Sequence, residues 1–146
     1  MAPISGGQIL IPNAAVAEVV AYTEPQAAGE VPRWFMGNVP WRGRLLPLIA
    51  FESVVANRQP DTTARGRVMV IAGLDGHDQL PFYGLYCSGI PHLVQADRTS
   101  VSSVEQGVTS PSVLAQVLVN GELALIPNLE LLEKMIVRVR ELTAEK

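Results

Sequence analysis

Two apolar runs, Leu45 to Ala50 and Val68 to Ala72, constrain this chain more than any other feature. Within Leu45-Leu46-Pro47-Leu48-Ile49 and Val68-Met69-Val70-Ile71 every side chain is apolar, so neither face of either strand can be left to water. Both runs are far too short to cross a bilayer. A single open sheet with one wet face cannot satisfy them; two small packed barrels can.

Similar runs recur at Gln8 to Ile11, Ala17 to Tyr22, Asn38 to Trp41, Leu80 to Cys87, His92 to Gln95, Gln116 to Val119 and Glu122 to Ile126, with Gly, Pro, Asn and Asp between them. That spacing predicts a mostly-β fold. Gly6-Gly7, Arg42-Gly43 and Asn120-Gly121 each stand between two strand candidates and tolerate the positive φ of a tight hairpin; Asp75-Gly76 opens a longer loop. Leu129, Leu132, Met135, Ile136, Val139 and Leu142 recur at helical spacing, which predicts a C-terminal helix with Asn128 as its N-cap. Leu10-Ile11-Pro12-Asn13 is echoed by Leu125-Ile126-Pro127-Asn128, as a domain of two similar halves would have. Thr23 to Glu30, Asn57 to Gly66 and Arg98 to Ser112 are loops by composition.

The 146 residues suit one domain, 1–146, or two very small intertwined units. Eleven scattered basic residues against 14 acidic ones, net −3, offer no stripe to follow a phosphate backbone, so no nucleic-acid partner is expected. The single Cys87 has no internal disulfide partner, and no basic-then-apolar opening reads as a signal peptide. A reducing, cytoplasmic setting follows, with no direct membrane insertion. Hydrophobic residues reach 48% while charged residues supply 17%, so some apolar surface is expected to face a partner.

The motifs of chemistry are missing from the sequence: no HExxH, no paired-Cys metal spacing, no GxSxG elbow, no Walker loop and no dinucleotide glycine fingerprint. His77 lies among turn formers and His92 in an apolar run; with one thiol they make no metal ligand set. The expectation is a non-enzymatic protein without cofactor or metal, Cys87 being a buried thiol. The alternative is a small β-barrel enzyme or ligand-binding domain using the 98–112 loop and His77, which would need a deep polar pocket.

The segment Val31 to Glu52, VPRWFMGNVPWRGRLLPLIAFE, resembles the signature of the CheW family of chemotaxis coupling proteins. Its pieces are a proline-led helical turn (Pro32 to Met36), Gly37, a strand to Trp41, Arg42-Gly43, an apolar strand containing Pro47, and a short helix from Ala50. The likeness extends over Ile9 to Val20, Arg67 to Leu74, Phe82 to Gln95 with Ser88-Gly89-Ile90, and Gln116 to Leu132. Two features depart from the family pattern: Pro40 stands where Asn or Glu is usual, and the first strand is reduced to about Pro3 to Ser5. With Leu10 to Glu18, these features are more similar to the ChpC-type branch of type IV pilus, or twitching-motility, systems.

The resemblance implies two small five-stranded β-barrels sharing an apolar seam, with a C-terminal helix and no catalysis. It implies an adaptor between chemoreceptor cytoplasmic tips and the regulatory domain of a CheA-type histidine kinase. By position, the residues expected to contact those partners are Val16, Glu18, Gly37, Trp41, Arg42, Gly43, Met69 or Val70, Gly84, Ile90 and Leu93.

Overall fold

The structure, a computed structural model, describes residues 1–4, 7–27, 29–56, 62, 65–74, 80–92, 101–103 and 111–144. His77, Leu93 and the rest of the strand expected over His92 to Gln95 beyond His92 itself, the Asp75-Gly76 loop and most of the 98–112 stretch lie outside them.

The strands are β1 (Ala2–Ile4), β2 (Gly7–Ile9), β3 (Val16–Ala21), β4 (Phe35–Trp41), β5 (Arg44–Ile49), β6 (Arg67–Ala72), β7 (Phe82–Cys87), β8 (Val101–Ser103), β9 (Val113–Val119) and β10 (Glu122–Pro127). The helices are α1 (Phe51–Ala56) and α2 (Leu129–Ala144). They form two five-stranded sheets, ordered β1-β2-β10-β9-β8 and β3-β6-β7-β5-β4. The expected fold class is therefore the observed one. Among the described residues neither ladder closes into a ring, but the edges of the second sheet still meet. Gln26, just beyond β3, bridges Asn38 of β4 through two backbone bonds of 2.7 and 3.0 Å.

Alternation explains why β5, β6 and β7 are apolar on both faces. Ile49, Met69, Ile71, Tyr83, Leu85 and Cys87 enter one core together with Ala2, Ile4 and Ile9 from the first sheet and Phe51, Leu132 and Ile136 from the helices. Their neighbours Leu46, Leu48, Val68, Val70 and Tyr86 enter a separate core with Val39, inside the second sheet. The first core is the expected seam between the two sheets. At roughly 1.5–3 kcal/mol for each large side chain buried, it is the main stabilising element of the fold.

The turn chemistry follows the sequence. Arg42-Gly43 (φ 47° and 78°) and Asn120-Gly121 (φ 50° and 83°) each join directly paired strand ends, Trp41 with Arg44 and Val119 with Glu122. Two residues in succession at positive φ define a type I′ hairpin. Asn128 caps α2, its Oδ1 accepting the Leu131 N–H at 3.1 Å. The two echoing segments lie side by side: β2 and β10 run parallel, and the Leu10 N–H donates to the Leu125 carbonyl at 2.8 Å. Proline then takes each chain out of the sheet, into a single 3-10 turn at Asn13–Ala15 or into α2.

Some boundaries differ from expectation. β4 begins at Phe35, because the proline-led turn ends there, its Phe35 N–H donating to the Pro32 carbonyl at 3.0 Å. His92 is an exposed residue outside any strand, bound through its backbone to Met1. β8 falls inside a stretch that reads as loop by composition, since Val101-Ser102-Ser103 is short and polar.

Candidate functional site

At one end of the second sheet the β4–β5 hairpin, β3 and the start of β7 come together. β3 and β4 are the two edges of that sheet, yet the Trp41 Nε1–H donates to Glu18 Oε2 at 2.9 Å. An indole N–H that is partly buried needs such a partner. The same carboxylate oxygen holds the Arg42 guanidinium at 3.0 Å. Arg42 also lies over the Trp41 ring, its Cζ 5.1 Å from the centroid. Glu18 and Trp41 thus fix an arginine whose side chain remains 69% exposed.

Behind this cluster Trp41 meets Phe82 at 5.0 Å between centroids, and Arg44 lies over the Phe82 ring, its Cζ 5.1 Å from the centroid. Trp41 and Phe82 both pack on the Val39–Leu46–Val70 core, so they stopper that core where it reaches water. The result is a row of guanidinium, two aromatic rings and guanidinium at the mouth of the sheet. Such a row can hold a carboxylate and an apolar group together.

A second feature lies where the two sheets adjoin. A cavity of about 180 Å³ has a mixed lining, apolar from Leu10, Ile11, Val16, Val19 and Met69 and polar from Asn13 and His92. Val19 is 41% exposed on its rim, and Ile90, next to Pro91, is 60% exposed. Apolar surface of this kind fits a partner side chain.

The other expected contact residues are interior. Val70 is fully buried, and Met69 is only 3% exposed. A Cβ on the buried Gly84 would sit 2.7 Å from Val68 Cγ1 and 3.3 Å from Leu48 Cδ1. Gly37, at φ 133°, is pressed against the Gln26 carbonyl and lies where a Cβ would be 3.0 Å from Pro25 Cβ. Val70, Gly84 and Gly37 thus lie beneath the surface, packed against their neighbours.

Burial, with Glu52 nearby, pushes the Cys87 thiol up to about 12, so it stays protonated and is a poor nucleophile. Burial and the neighbouring Glu133 carboxylate hold the Tyr83 hydroxyl well above the usual tyrosine range. That hydroxyl and the Leu74 N–H donate to Glu133 at 3.3 and 2.8 Å, tying α2 to the ends of β6 and β7. Among the described residues no three His, Cys, Asp or Glu side chains are grouped to hold a metal ion, and no helix is long and apolar enough to cross a membrane.

Residues 1–136 match the family model of the CheW-like domain. The chain belongs to the CheW-like domain family. The crystal structure of a CheW scaffolding protein from Thermoanaerobacter tengcongensis superposes with a TM-score of 0.64 at 17% identity, covering 80% of this chain and 73% of that one. At that identity the likeness is one of fold. No curated protein matches the sequence.

Within this CheW-like domain, the structure brings Glu18, Trp41, Arg42 and Gly43 to one mouth and leaves Val16 in the cavity between the sheets and Ile90 beside it. Sequence reasoning missed Arg44 and Phe82. Arg44 reads as a polar strand start and Phe82 as one more apolar strand residue; only the alignment of β5 beside β7 stacks one on the other.

Proposed function

We propose that the chain acts as a single, non-enzymatic CheW-like domain over 1–146. In this reading it couples the cytoplasmic tips of chemoreceptors to the regulatory domain of a CheA-type histidine kinase in the cytoplasm. The observation that carries the reading is the family membership, joined to a hairpin that presents Arg42 on the support of Glu18 and Trp41. A mouth braced by its own ion pair and aromatic stack suits recognition, because little side-chain freedom remains to be lost on binding. The cavity between the sheets, with Val16 on its wall, offers a second contact surface, as a bridge between two proteins requires.

The narrower placement in a type IV pilus, twitching-motility system rests on Leu10 to Glu18, the short opening strand β1 and Pro40. Pro40 lies exposed on β4 opposite Leu45, so a backbone donor and a polar side chain are both missing beside Arg42. That alters what a partner meets there.

The test is a pull-down of the intact chain with a CheA-type regulatory domain and, separately, with a receptor cytoplasmic tip. Retention of both is expected. Failure to retain either would remove the coupling role, and turnover of a small molecule at a described residue would replace it.

A further inference from the structure

We infer that Arg44 and Arg42 act as a pair that receives an acidic segment of a protein partner, with an apolar side chain of that segment resting on Trp41 and Phe82. The inference rests on the coupling role proposed above and names the chemistry of what the mouth accepts.

The charge count at the mouth carries it. Two guanidiniums meet there, and the one carboxylate among the described residues that faces them, Glu18, is engaged by Arg42 and by the Trp41 N–H. Arg44 has no acidic partner among the described residues; it is exposed and held over the Phe82 ring at 5.1 Å. Among the described residues the mouth is thus locally positive, in a chain whose formal net charge is −3. An isolated cation against an aromatic face keeps its donor fork directed outward and has shed part of its hydration, which favours a carboxylate over water. Between the arginines the Trp41–Phe82 pair, 5.0 Å centroid to centroid, gives the apolar contact that would place such a segment. The hairpin fixes the spacing: Trp41 and Arg44 close it opposite each other, with Arg42 in the turn between them, so the two arginines are held two residues apart at one tight turn.

Binding of wild type, Arg44→Ala, Arg44→Glu and Arg44→Lys to a CheA-type regulatory domain and to a receptor cytoplasmic tip, each at low and at physiological salt, tests this. The expected result is a loss on the order of tenfold for Arg44→Ala toward one of the two proteins, a larger loss for Arg44→Glu and partial recovery with Arg44→Lys. Arg44→Ala should also weaken the salt dependence of that binding, since one exposed charge has left the interface. Arg44 is exposed, so its variants should melt with wild type, and the melt is recorded on the same samples. Wild-type binding that is unchanged in every Arg44 variant would overturn the acidic-segment inference while leaving the coupling role in place. Wild type that binds neither protein, or binds only phosphatidylserine vesicles with the same Arg44→Glu sensitivity, would overturn both.

Discussion

Two hairpins in this domain have the same backbone and different side chains. Asn120-Gly121 turns β9 into β10 with the residue pair that type I′ geometry prefers, because Asn tolerates positive φ better than most residues and Gly has no Cβ to strain. Arg42-Gly43 turns β4 into β5 at φ 47° and 78° with an arginine in the place where Asn belongs. Holding an ordinary side chain in the left-handed region costs about 1 kcal/mol. The ion pair to Glu18 and the contact with Trp41 together offset an amount of that size and no more, being exposed interactions. One turn thus carries the residue its backbone prefers, while the other carries a strained arginine held by its neighbours. A residue kept against the local preference of its backbone points to use of its side chain.

The largest expected effect comes from disturbing the support of the strained hairpin. Gly37→Ala places a Cβ against the Gln26 carbonyl at a φ of 133°, which should break the Gln26–Asn38 bridge that draws β3 toward β4. A loss of roughly 3 kcal/mol or more, a fall of about 10 °C in Tm, is expected. Wild-type melting of this variant would mean that the two sheet edges are not held together at Gly37. Next comes Arg42→Ala, which should weaken partner binding by roughly 1–3 kcal/mol while costing only about 1 kcal/mol of stability, since the left-handed strain stays and the contacts that offset it are lost. The opposite pattern, a lower Tm with unchanged affinity, would make Arg42 a brace for the domain and place the interface elsewhere.

Alkaline titration separates the seam from both hairpins. The Cys87 thiol is raised from 9.0 to about 12, and Tyr83 is raised as well. Above pH 9 the unfolded chain releases a proton that the folded chain retains, so stability is fully present below pH 9 and falls as the pH rises toward 12. The slope is about 1.4 kcal/mol per pH unit for one group. Cys87→Ala should flatten the fall between pH 9 and 10 without moving partner affinity at neutral pH. An equally steep fall in that variant would assign the alkaline loss to other groups.

How much of this was legible in the sequence depends on range. β6 and the start of α2 follow from apolar period and capping within a few residues, and both I′ turns follow from their own dipeptides. The need to cover β5 and β6 on both faces was also visible, but not which residue points which way. Val70 and Met69 are equally apolar, and only assembly sends one into the interior of the second sheet and the other into the seam. The meeting of Glu18 with Trp41 and Arg42 joins opposite edges of a sheet, and the Arg44–Phe82 stack joins strands 38 positions apart in sequence; no local pattern encodes either contact. β8 escaped because its pairing with β9, and not its polar composition, makes it a strand.

The reciprocal exchange of the two turn residues gives the smallest effect and the cleanest test of the comparison. Asn120→Arg puts into the second hairpin the residue that the first one carries, but with no described Glu18 or Trp41 to receive it. The left-handed cost should then appear almost unrelieved, lowering stability by about 1 kcal/mol, or roughly 3–4 °C in Tm. Arg42→Asn does the reverse: it relieves a similar strain, surrenders the Glu18 contact and should leave Tm unchanged or a few degrees higher, while partner affinity falls as far as it does in Arg42→Ala. Stability and binding thus move in different directions at one position and only stability moves at the other. If Arg42→Asn instead lowers Tm as much as Asn120→Arg does, the first turn is as much a structural device as the second, and the strain argument for Arg42 fails.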